Sequence, residues 1–193
     1  MTSTPVPPTM SEDTPWPSRS LVLLCGVSLL AFAGGLLVTE WFGEIGTDID
    51  LKPFFIPYLL IAAVRFGLPT LAVGFGAAVG EGVLDVFEGY ELDDPVGFVG
   101  YVLGFVIFGW YLHRVADDPS SRRGLAVAAI LGAFVQAFFE SFAFFLFEPA
   151  AGTRQAALSL VGNTLSHGIL LGAIPLLFFV PLARAHIRTR LRP

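Results

Sequence analysis

Three carboxylates lie within one apolar segment at spacings that place them on the same side of a helix. Glu81, Asp85 and Glu88 are separated by four and three residues, and helical side chains at such offsets line up on one face. Ionisable side chains are costly inside a membrane, where they usually mark a binding site or a water-filled cavity. The pattern therefore predicts one wall of an outward-facing binding pocket, provided that the segment crosses a membrane.

The composition of the chain indicates a membrane protein. Of its 193 residues, 54% are hydrophobic and only 14% are charged, whereas a soluble domain carries about 25% charged residues. A single cysteine, Cys25, lies in the first apolar run, so neither a disulfide framework nor a cysteine-based metal motif is expected. The net charge of -5 argues against a nucleic-acid-binding protein.

Six apolar runs separated by short polar links predict six helices that cross the membrane. They cover residues 21–41, 54–66, 69–87, 96–113, 124–147 and 156–180. The second run corresponds to about 20 Å of helix, less than the membrane core of about 30 Å, so it is expected to be short, tilted or re-entrant. We predict an all-α integral membrane protein, a compact bundle of about six transmembrane helices over 21–184. A disordered tail (1–20) precedes the bundle and a basic tail (185–193) follows it.

The distribution of basic residues predicts the orientation of this bundle. With both termini in the cytoplasm, Lys52 and Arg154 lie outside, and nine arginines lie inside: Arg19, Arg65, Arg114, Arg122, Arg123, Arg184, Arg188, Arg190 and Arg192. Positive charge accumulates on the cytoplasmic side of short loops. The chain is therefore expected to be a multi-pass protein of the plasma membrane.

Polar side chains on three predicted spans lie at a common depth. Glu81, Glu140 and Asn163 each fall about 10–12 Å below the outer surface, at 1.5 Å of rise per residue. Each has polar companions four residues away, which gives six candidate substrate-binding residues: Glu81, Asp85, Gln136, Glu140, Asn163 and His167.

Two interpretations of this set stay open. The groups can satisfy one another across helix interfaces, as polar side chains in membranes often do. Alternatively, they bind a ligand: Glu81 and Glu140 repel each other unless a cation offsets them, and no Arg or Lys occurs in the outer half of any predicted span. The second interpretation predicts a cationic solute held by the two carboxylates and oriented by Asn163 and His167. A thiamine-like cation fits this description, with a divalent metal ion as the competing ligand.

Enzymatic functions find little support in the sequence. It contains no HExxH, no GxSxG and no phosphate-binding glycine loop. A catalytic metal would have only His167 with Glu81, Asp85 and Glu140, without a typical ligand spacing. We expect no catalytic activity, no resident metal and no cofactor.

Several stretches resemble the substrate-binding S components of energy-coupling factor (ECF) transporters, over about Leu21 to Arg184. They are FGLPTLAVGFGAAVGEGVLDVFEG (66–89), PVGFVGY (95–101) and GAIPLLFFVPLARAH (172–186). The resemblance implies a receptor that takes a vitamin or metal ion from outside and docks a transmembrane coupling subunit driven by two ATPases. The family's docking face carries Ala-xxx-Ala in its first helix, and its nearest counterpart here is Ala31-xxx-Gly35. The alternative is a scaffold protein similar to the rod-shape protein MreD, with no small-molecule ligand.

Overall fold

The regular secondary structure of the described part of the chain is entirely helical. The computed structural model describes residues 16–41, 49, 51–89, 94–116, 118, 121–147 and 152–181. The helices are α1 (Ser18–Glu40), α2 (Phe55–Ala63), α3 (Leu68–Glu88), α4 (Asp94–Trp110), α5 (Arg122–Phe147) and α6 (Gly152–Asn163). A π-helical stretch, Tyr111–Val115, extends α4, and another, Thr164–Ala173, extends α6 into a final α-helical segment over 174–181.

Five helical segments are long and apolar enough to cross a membrane. They are Ser18–Glu40, Leu68–Phe87, Asp94–Val115, Arg122–Phe147 and Thr153–Pro181. They coincide within a few residues with five of the six predicted spans, although the first begins at Ser18, inside the predicted tail. Residues 1–15 and 182–193, and with them most of both predicted tails, lie outside the described residues. The helices are those of a multi-pass membrane protein, and the predicted orientation stays a prediction.

The remaining predicted span is the second one, residues 54–66. It contains only the nine-residue helix α2. Nine residues rise about 14 Å, which is half of the membrane core. Before the helix, residues 51–53 are not helical, and after it Val64 adopts an extended backbone conformation. Non-helical backbone is tolerated at membrane depth where it is enclosed by protein or lines a water-filled cavity. The segment before α2 is such a case, as the position of Lys52 shows below.

Small residues let the long helices approach closely. Gly76 of α3 faces the backbone carbonyl of Cys25 in α1, and a Cβ atom added to Gly80 would lie 2.9 Å from the carbonyl oxygen of Leu29. In the same way, a Cβ added to Gly104 of α4 would lie 2.6 Å from the carbonyl oxygen of Gly132 in α5. Such contacts exclude any larger side chain, so glycine spacing determines how α1, α3, α4 and α5 pack.

An aromatic cluster fills the centre of the bundle and holds the start of α2. Phe54 is fully buried, with its ring centroid 5.1 Å from that of Phe105 and 6.0 Å from that of Phe32. His167 stacks on the other side of Phe54 at 4.6 Å. Because Phe54 is packed by three helices, the two residues before it in the chain, Lys52 and Pro53, have a fixed position in the bundle.

Candidate functional site

Polar residues of α5, of α6 and of the π-helical stretch after α6 contact one another, as their common predicted depth indicated. The side-chain amides of Gln136 and Asn163 both donate to Oε2 of Glu140, at 3.0 and 3.1 Å. Asn163 also donates to the hydroxyl of Ser159 at 3.3 Å, and Nδ1 of His167 lies 3.2 Å from Oε1 of Gln136. These contacts form one continuous network, with Glu140 at its outer end.

Lys52 joins this network to α3. Its Nζ lies 2.7 Å from Oε1 of Glu81 and 3.6 Å from Oε1 of Glu140, and its side chain is only 14% exposed. The expectation that no basic residue neutralises the two carboxylates was therefore wrong. Sequence reasoning placed Lys52 in the outer loop, whereas the non-helical segment before α2 carries it inward to the depth of Glu81. Lys52 lies next to Pro53 and directly before an apolar run too short to cross the membrane. This pattern was the feature of the sequence that could have indicated a position within the membrane.

Glu81 is buried and only partly satisfied. The residue is 6% exposed, and its Oε1 accepts a hydrogen bond from the hydroxyl of Tyr101 at 3.0 Å in addition to the contact with Lys52. Its Oε2 has no hydrogen-bond partner among the described residues. Tyr101 was not among the residues predicted from the sequence. It lies seven residues after Asp94, which corresponds to about 10 Å along α4, the depth at which Glu81, Glu140 and Asn163 were predicted.

A small acidic cavity opens at this point. Its volume is about 100 Å³, and its lining consists of Lys52, Glu81, Asp85, Asp94, Gly97, Phe98, Glu140 and Ala143. Four carboxylates against one ammonium group give the lining a formal charge of -3. Pockets for drug-sized ligands measure roughly 300–1,000 Å³. The acidic cavity is smaller than this range and has room for a small cation.

The six predicted substrate-binding residues divide into two groups. Glu81, Asp85 and Glu140 line the acidic cavity. Gln136, Asn163 and His167 are buried and lie outside the lining. Gln136 and Asn163 donate to Glu140, and His167 contacts Gln136. Asp94, which lies in the polar link before the predicted span 96–113, also belongs to the lining.

Metal coordination by the acidic side chains was the second ligand class that the sequence left open. Among the residues that the structure describes, no group of three or more His, Cys, Asp or Glu side chains could hold a metal ion. Two of the carboxylates that line the cavity, those of Glu81 and Glu140, contact the ammonium group of Lys52.

The predicted docking pair on α1 faces in two directions. Ala31 is exposed, whereas Gly35 is turned toward the segment that carries Lys52. A Cβ added to Gly35 would lie 2.6 Å from Cδ1 of Ile56 and 2.8 Å from Cγ of Pro53. Gly35 thus has a packing role within the chain, and docking of a partner by the pair stays a prediction.

Comparisons with known proteins do not identify a family. No protein-family model matches the chain, and no curated protein or solved structure matches it. The resemblance to S components therefore stays a prediction from the sequence.

Proposed function

We propose that this chain is a membrane-embedded solute-binding subunit, similar to an ECF S component, that binds a small organic cation in the acidic cavity. The observation that carries the proposal is the state of Glu81. It is 6% exposed, and its Oε2 lacks a partner among the described residues. A buried polar atom without a hydrogen bond costs about 1–3 kcal/mol, and more when it is charged. A ligand with N–H donors removes this penalty.

The negative charge of the cavity favours a positively charged ligand. Four carboxylates and one ammonium group give the lining a formal charge of -3, so a second positive charge is attracted and an anion is repelled. The contacts of Lys52 with Glu81 and Glu140 show how an ammonium group is held there. A primary ammonium ion beside Lys52 would donate to Oε2 of Glu81 and approach Asp85.

The sequence resemblance supplies the rest of the proposal. The protein would lie in the plasma membrane with both termini in the cytoplasm, and would pass the cation to a transmembrane coupling subunit driven by ATPases. Copurification from native membranes tests this part, because an ATPase module in the purified complex supports transport. A morphogenetic complex in its place would contradict it.

Native mass spectrometry of gently purified protein tests the binding function. We expect a retained small molecule with a positive charge in the wild-type protein, and its loss in Glu81→Gln, which keeps the shape of the side chain. Gly34→Leu serves as the control, because a Cβ at Gly34 meets nothing within 4 Å. A retained anion, or equal retention by Glu81→Gln, would refute the proposed ligand class.

A scaffold function similar to that of MreD is the second candidate. It is favoured by the network itself, since Lys52, Gln136 and Asn163 together satisfy much of the charge of Glu140 and one oxygen of Glu81. Under this function the polar groups only hold the helices together. Stability would then respond to changes in the network, while no organic cation would bind.

A further inference from the structure

A second cavity lies beside the acidic one, between the predicted outer halves of α3 and α4. Its volume is about 420 Å³, within the range of ligand pockets. Its lining is mostly apolar: Val79, Gly82, Val83, Asp85, Asp94, Pro95 and Phe98. We call it the lateral groove, because Val83 and Pro95 at its edge are exposed on the side of the bundle. Asp85, Asp94 and Phe98 line both cavities, so the two are adjacent.

The lining of this groove changes from charged at its outer end to apolar deeper in the membrane. On α3, Val79 lies six residues before Asp85, about 9 Å nearer the predicted membrane centre. On α4, Phe98 lies four residues after Asp94, about 6 Å in the same direction. Carboxylates therefore lie at the outer end of the groove and hydrocarbon surface lies below them. A membrane amphiphile has the same order of polar head and apolar tail.

We infer that the ligand is a single-chain amphipathic amine, with its ammonium group in the acidic cavity and its hydrocarbon chain in the lateral groove. This inference rests on the proposed function and deepens it. The ammonium group would take Oε2 of Glu81, the buried oxygen without a partner among the described residues. Asp85 and Asp94, which line both cavities, would face the ammonium group, and Val79, Val83 and Phe98 would contact the hydrocarbon chain.

The charge of the groove argues against a bilayer phospholipid as its occupant. A phospholipid head group carries a phosphate, which would face Asp85 and Asp94 at the outer end of the groove. Like charges at close range disfavour binding. An amine without a phosphate meets only attraction from these carboxylates, so we commit to that class of ligand.

Equilibrium binding to protein in phosphatidylcholine nanodiscs tests the inference with two probes. Methylammonium carries the head group alone, and octylammonium adds the chain. Gly82→Leu fills the groove, because a Cβ at Gly82 lies 3.9 Å from Phe98 with no closer neighbour, and Gly82 is outside the acidic lining. Val83→Trp at the exposed edge is the second variant, should Gly82→Leu fail to fold. Gly34→Leu, on the open surface of α1, is the matched control.

The expected pattern separates head from chain. Each methylene group removed from water raises the affinity about fourfold. If Gly82→Leu displaces two methylene groups of octylammonium from the groove, the affinity for octylammonium should fall roughly tenfold. Methylammonium binding should stay unchanged in Gly82→Leu, and Glu81→Gln should weaken both probes. Octylammonium binding unchanged in Gly82→Leu and Val83→Trp would overturn this inference and leave the cation site intact. Failure of both probes to bind the wild-type protein would overturn the proposed function itself.

Discussion

Replacing Lys52 by methionine removes the ammonium group while keeping an unbranched apolar stem. The group lies 2.7 Å from Glu81 and 3.6 Å from Glu140, on a side chain that is 14% exposed. Removing one partner of a buried ion pair leaves the other charge uncompensated, which costs about 3–5 kcal/mol. Here four carboxylates would line the cavity with no cation among its lining residues. We therefore expect Lys52→Met to lose about 3 kcal/mol of stability.

Thermal unfolding in a mild detergent measures this loss. For a chain of this size, 1 kcal/mol corresponds to about 2–4 °C in Tm, so Lys52→Met should lower Tm by roughly 6–12 °C. The double variant Lys52→Met/Glu81→Gln should recover at least half of the loss, because the uncompensated carboxylate is gone as well. Methylammonium, added at about 100 times its Kd, should stabilise Lys52→Met by about 2.7 kcal/mol, since it replaces the lost head group.

Arg154→Gln is the matched control, because Arg154 is the other basic residue assigned to the outer side and is exposed. Its replacement should change Tm by less than about 2 °C, as for most surface positions. An equal effect of Lys52→Met and Arg154→Gln would mean that Lys52 does not lie between the carboxylates. A double variant no more stable than Lys52→Met would contradict the pairing with Glu81.

Three further predictions concern packing, hydrogen bonding and orientation. Gly35→Leu should destabilise the protein by about 1–3 kcal/mol through overpacking against the segment that carries Lys52, while Gly34→Leu on the open side of α1 leaves Tm unchanged; equal Tm values would contradict this account of Gly35. Tyr101→Phe removes a hydrogen bond to a carboxylate and should cost about 1.5–3 kcal/mol in chemical unfolding; a wild-type unfolding curve would show that the bond contributes nothing. Ser121→Cys in a Cys25→Ala background should react with an impermeant thiol reagent only after permeabilisation, and labelling in intact cells would reverse the predicted orientation.

The sequence predicted contacts well where a residue belongs to a continuous helix. Gln136, Glu140, Asn163 and His167 were expected to lie together, and they form one hydrogen-bonded network. A helix has a fixed rise and a fixed angular repeat, so counting from one end gives both depth and face. Tyr101 could have been found by the same count, since α4 is also continuous to that point.

The position of Lys52 could not be predicted from helical periodicity. Residues 51–53 are not helical, so no periodicity relates their position along the chain to their depth. The segment reaches Glu81 because Phe54 packs into the aromatic cluster and Gly35 leaves space for Pro53. Both are tertiary contacts between parts of the chain that local spacing does not connect. Asp94 was missed for a different reason: it is the first residue of α4, whereas the predicted span begins at residue 96.

The central claim is that the carboxylates around Lys52 form a binding site for an organic cation, with Glu81 at its centre. Isothermal titration of octylammonium into nanodiscs that contain wild-type, Glu81→Gln or Gly34→Leu protein tests it most directly. We expect saturable binding to the wild-type and Gly34→Leu proteins, and an affinity at least about tenfold lower for Glu81→Gln, since charged hydrogen bonds contribute about 1.5–3 kcal/mol. Equal affinities of the wild-type and Glu81→Gln proteins, or heat no greater than that of empty nanodiscs, would contradict it.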